Sequence, residues 1–76
     1  MRNKHMFFLI ESEPARHTLY LNGQVIATFA TLDAAESEAN KIASRDVPGV
    51  RLRFGLDFKW TLSNLEMRAA QLEYAS

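Results

Sequence analysis

His17-Thr-Leu-Tyr-Leu-Asn-Gly-Gln-Val-Ile-Ala-Thr-Phe-Ala30 is the stretch on which the fold turns. Two β-prone runs flank Asn22-Gly23, the residue pair that best tolerates the positive φ angles of a two-residue type I′ turn. A turn of that length sets a register. Leu21 is expected opposite Gln24, Tyr20 opposite Val25, Leu19 opposite Ile26, Thr18 opposite Ala27 and His17 opposite Thr28. One face then carries Leu19, Leu21 and Ile26, and the other Tyr20, Val25, Ala27 and Phe29. Both faces are apolar.

Moving outward toward the N-terminus, residues 6–11 (Met-Phe-Phe-Leu-Ile-Glu) make another strand candidate. Phe7 with Leu9 and Phe8 with Ile10 are apolar on both alternating sets, as in a central strand covered on two faces. Pro14 cannot donate to a ladder and ends it. In the other direction, Thr31 caps a helix whose first turn holds Asp33 and Glu36 and whose end holds Lys41 and Arg45, as the macrodipole favours. At 100° per residue, Leu32, Ala35, Ala39, Ile42 and Ala43 fall on one stripe. Val47-Pro48-Gly49 closes the helix.

Beyond it, Val50, Leu52 and Phe54 alternate with Arg51 and Arg53, while Phe58, Trp60 and Leu62 alternate with Lys59 and Thr61. A loop at Gly55-Leu56-Asp57 would pair Phe54 with Phe58, Leu52 with Trp60 and Val50 with Leu62, all on one face. Ser63-Asn64-Leu65-Glu66 matches a capping box and predicts a short C-terminal helix carrying Leu65, Ala69 and Leu72 on one side. The order expected is βββαββα. The fold class is α+β: an antiparallel sheet of about five strands, the central helix packed on one face, and a short C-terminal helix.

Seventy-six residues with 47% hydrophobic side chains support one small domain, residues 1–76, with a single core. Nine basic and nine acidic residues cancel, unlike the basic balance of a typical nucleic-acid-binding domain. There is no cysteine for disulfides, thiolate chemistry or zinc-thiolate sites, which suits a reducing, cytoplasmic setting. The apolar run ending at Glu11 is too short for a membrane span. The expectation is therefore of no membrane association and no cofactor.

An enzyme is not indicated. His5 and His17 share no metal-ligand spacing, and Gly23, Gly49 and Gly55 each have a turn to make. Glu11 and Glu13 are placed to keep a strand end soluble. The partner-binding candidates are Arg51, Arg53 and Lys59, on the outer face of the second hairpin, where Arg53 opposing Lys59 is electrostatically unfavourable. Two readings follow: a solvated face neutralised by Glu11 or Glu13 from a neighbouring strand, or a docking surface for an acidic protein or a phosphate backbone. The apolar surplus also has two readings. Either the C-terminal helix covers the second sheet face, or Leu19, Leu21, Ile26, Met67 and Tyr74 meet another chain, making a homodimer.

Thr31-Leu-Asp-Ala-Ala35, Lys41-Ile-Ala-Ser44, Gly49-Val-Arg-Leu-Arg53 and Lys59-Trp60 together resemble the helix-plus-hairpin of small phage-encoded sheet-and-helix proteins, such as type I anti-CRISPR inhibitors. The resemblance covers about residues 31–60 and carries over no functional residue. It implies a non-enzymatic inhibitor acting on a larger protein or ribonucleoprotein complex. The function expected is thus a small protein-binding module of that kind, with a nucleic-acid-binding module using the basic face as the alternative.

Overall fold

A computed structural model describes residues 3–56 and 65–75 of the chain. It is an α+β domain with the elements β1 (Asn3–Glu13), β2 (Arg16–Leu21), β3 (Gln24–Phe29), α1 (Leu32–Asp46), β4 (Gly55–Leu56) and β5 (Glu66–Ala75). The sheet runs β3-β2-β1-β5-β4, and every pairing is antiparallel. β1 is the central strand, as its doubly apolar run suggested. The chain leaves the sheet at the β3 edge, crosses one face as α1, and re-enters at the opposite edge as β4.

Residues directly opposite one another on neighbouring strands share a face, so the registers define what lies beneath the helix. Phe8 faces Leu21 and Ala70, and Ile10 faces Leu19 and Arg68. Met6, Phe8, Ile10, Leu19 and Ala70 form one buried cluster with Ala35, Ala39 and Ala43 of α1 and with Leu52. The three alanines bring the helix backbone close to the sheet, and Leu32 and Ile42 pack at the edge of the same cluster. The cap is the expected one: Ala34 N–H donates to Thr31 Oγ1 at 3.2 Å. At the other end Val47 N–H donates to the Ala43 carbonyl, and Gly49 turns the chain at φ 81°.

The first hairpin forms around Asn22 (φ 50°) and Gly23 (φ 85°), the two positive angles its turn requires. Leu21 pairs with Gln24 and Tyr20 with Val25 as expected, but the register then shifts between Leu19 and Tyr20. Leu19 pairs with Ala27 rather than Ile26, Thr18 with Thr28 rather than Ala27, and His17 with Phe29 rather than Thr28. A bulge explains the correction. One extra residue on a strand flips every side chain beyond it to the other face. Here the flip turns Phe29 toward the helix and Thr28 away from it, and Phe29 packs against the core. The cost is Ile26, left 41% exposed.

Asn22 does more than turn the chain. Its N–H donates to the Phe7 carbonyl (2.8 Å) and its Oδ1 accepts from Phe7 N–H (2.9 Å), extending the β1–β2 ladder past Leu21. A Cβ on Gly23 would meet nothing within 4 Å, so the penalty for substitution there comes from φ alone. Gly23→Val is expected to destabilise by more than about 1 kcal/mol, and Gly23→Asn by less, since asparagine tolerates the left-handed region. An unchanged melting temperature for the valine variant would contradict this turn.

Two expectations are overturned. The segment predicted as a C-terminal helix is strand β5, paired with β1 along ten positions from Asn3↔Ala75 to Ser12↔Glu66. Met67, Ala69, Ala70 and Leu72 favour helix intrinsically, but that preference is worth only tenths of a kcal/mol per residue. A central strand as apolar as β1 must satisfy its backbone groups on both edges once buried. β5 supplies the second edge. Among the described residues the order is therefore βββαββ.

The second correction concerns residues 50–54, expected as the first strand of a basic hairpin. They form no ladder with any described strand, and Gly55 and Leu56, expected in its loop, are β4, paired with Ala69 and Arg68 of β5. The reason is at Leu52, whose N–H donates to Asn40 Oδ1 of α1 at 2.6 Å. A donor spent on the helix cannot serve a sheet. Phe58, Trp60 and Leu62, the expected partners, lie outside the described residues.

Candidate docking surface

Residues 50–54 keep a strand's alternation although they are not laddered. Val50, Leu52 and Phe54 turn into the core cluster, while Arg51 and Arg53 are exposed. The inside-outside phase read from the sequence therefore holds for these five residues. Lys59, the third cation of the set, lies outside the described residues.

Asn40 is the residue that places the segment. It is half-buried on α1, its Nδ2 donates to the Glu36 carbonyl at 3.0 Å, and its Oδ1 holds Leu52. With Leu52 pinned, Arg51 comes to rest beside the solvent side of the helix. Asp33, Ser37, Asn40, Lys41, Ser44, Val50 and Arg51 line an open groove of about 440 Å³ there. Ser44 Oγ donates to the Lys41 carbonyl at 3.0 Å. Arg45 is exposed one turn beyond Lys41. The result is a cationic band: Arg45 and Lys41 from the helix, Arg51 across the groove, and Arg53 two residues further along. Lys41 and Arg45 were legible only as charges late in the helix, and the helical pattern put Asn40 on the solvent side with no signal that a segment crosses there.

The carboxylates expected to neutralise the arginines lie elsewhere in the sheet. Glu13 pairs with Arg16 at 3.1 Å, across the turn that joins β1 to β2. Glu11 is half-buried between Thr18 and Met67 on the face away from the helix. Among the described residues, no carboxylate lies within 4.0 Å of a Lys41, Arg45, Arg51 or Arg53 charge.

The histidines have local partners. His5 pairs with Glu73 at 3.1 Å across β1 and β5. His17 Nδ1 lies 2.8 Å from Ser12 Oγ, two groups directly opposite on β1 and β2 that satisfy one another. Ser12 is buried, which makes the contact a cross-strand polar clasp rather than a presented nucleophile.

The five residues named for self-association do not form one surface. Leu19 is buried beneath α1, and Leu21 and Tyr74 pack against the same cluster. Tyr74 O–H donates to Asp46 Oδ2 at 2.9 Å. Burial first, then that hydrogen bond and the Asp46 charge, hold its hydroxyl above the ordinary tyrosine range, so it stays a donor. Met67 is buried on the opposite face, and Ile26 sits exposed at the bulge. That opposite face instead carries Phe7, Leu9, Tyr20, Val25 and Ala69, with Val25 61% exposed.

No helix among the described residues is long and apolar enough to cross a membrane. No protein-family model, curated protein or solved structure matches the chain.

Proposed function

We propose that this chain is a small non-enzymatic module that docks on a larger protein through the band formed by Arg51, Arg53, Lys41 and Arg45. The observation that carries the reading is the state of the two arginines. They stand exposed on a segment anchored from behind by Val50, Leu52, Phe54 and the Asn40 hydrogen bond, and among the described residues no carboxylate lies within 4.0 Å of either. Fixed, exposed cations on a held backbone suit an acidic partner surface, because little ordering entropy is spent at encounter. Action as an inhibitor, as the anti-CRISPR resemblance implies, belongs to the same proposal and rests on that resemblance.

The test is charge reversal. Arg51→Glu with Arg53→Glu should leave folding within about 0.5 kcal/mol apiece, as for exposed positions. The same double variant, immobilised in lysate of the native host, should lose the protein that the wild type retains. Equal retention by both would reduce the band to a solvated face. Retention that disappears on nuclease treatment, with affinity falling several powers in salt concentration, would replace a protein partner with nucleic acid.

A further inference from the structure

Resting on that reading, the groove beside α1 identifies the kind of partner element. Its lining is not uniformly basic. Lys41 and Arg51 stand toward one end, and Asp33 stands two turns earlier on the helix. Lys41 follows Asp33 by eight positions of α-helix, about 12 Å along the axis. Ser37 and Ser44 add hydroxyls beside them, while both ends of the Asn40 amide are already spent on Glu36 and Leu52.

A row of phosphates would bring negative charge against Asp33 along the same groove. A protein segment can present both signs. We infer that the groove receives an extended protein segment whose acidic side chain sits between Lys41 and Arg51 and whose basic side chain meets Asp33. An extended chain rises about 3.3 Å per residue, so two side chains four positions apart span about 13 Å and lie on the same side. The recognised element is therefore an acid and a base at i and i+4 of an extended stretch. The Asn40–Leu52 hydrogen bond is what makes the site, since it holds Arg51 across from Lys41.

Amide-resolved NMR titration of the full chain tests this with synthetic twelve-residue peptides carrying one Glu and one Lys four positions apart, in both orders. The expected result is saturable shifts at Ser37, Lys41, Ser44 and Arg51 in the millimolar range for one order. Affinity should fall about threefold when the peptide Glu becomes Ala, and similarly for its Lys, the scale of exposed charge pairs. The loss on removing the peptide Glu should vanish in a Lys41→Ala, Arg51→Ala background, and the loss on removing the peptide Lys should vanish in Asp33→Ala. Shifts centred elsewhere, no saturable response, or a twelve-nucleotide poly-dT binding these residues more tightly than either peptide would overturn the assignment. If that happens while the double charge reversal still abolishes protein capture, the docking reading stands and only the groove's occupant is wrong.

Discussion

Phe8→Ala should come close to unfolding the domain. Phe8 is fully buried on the central strand, opposite Leu21 on one side and Ala70 on the other, in one cluster with the alanine stripe of α1. Truncating a buried phenylalanine costs about 3–5 kcal/mol, combining lost transfer energy with an unfilled cavity. A chain of this size has a total stability of roughly 4–11 kcal/mol at the usual per-residue values, so the loss is between about a quarter and all of it. The neighbouring position is the control. Phe7 points to the other face and is 39% exposed, and its truncation should cost well under half as much. Urea titration of both variants measures the difference. If Phe7→Ala proves the costlier, the sheet presents its other face to the helix and the register of β1 is wrong.

Asn40→Leu should have the next largest effect, and its signature is local. The side chain joins Leu52 to α1, and leucine removes the acceptor that the Leu52 N–H uses in a half-buried setting. Leaving such a donor unpaired costs about 1–3 kcal/mol. Asn40→Asp keeps an acceptor for Leu52 but gives up the donor to the Glu36 carbonyl, so it should retain most of the stability. Hydrogen exchange separates this from general destabilisation. Leu52 should lose protection in Asn40→Leu by much more than amides of β1 such as Ile10. Equal loss at both positions would mean that residues 50–54 are held by their apolar contacts alone, and Arg51 would then owe its place beside Lys41 to those contacts.

Both variants probe what could and could not be read along the chain. The turn at Asn22-Gly23 and the helix from the Thr31 cap to the Gly49 turn were legible because each depends on local chemistry: positive φ angles, a hydroxyl facing an orphan N–H, a stripe of alanines at helical spacing. The inward set Val50, Leu52 and Phe54 was legible for the same reason, since alternation needs only an extended backbone. It also put Arg51 and Arg53 outside before any partner for that segment was known.

Tertiary structure decided the rest wherever two local preferences were close in energy. The bulge at Ile26 exposes one apolar residue and turns Phe29 inward, a choice that depends on a helix arriving overhead. Residues 66–75 would serve as a helix by propensity and became a strand because β1 needed a second edge. Residues 50–54 would serve as a strand and became an anchored irregular segment because Asn40 takes the Leu52 donor. A difference of tenths of a kcal/mol per residue yields to backbone hydrogen bonds that must be satisfied once buried. The exposed charges of Arg51 and Arg53 were thus a property of the sequence, while the groove they share with Lys41 and Asp33 belongs to the fold.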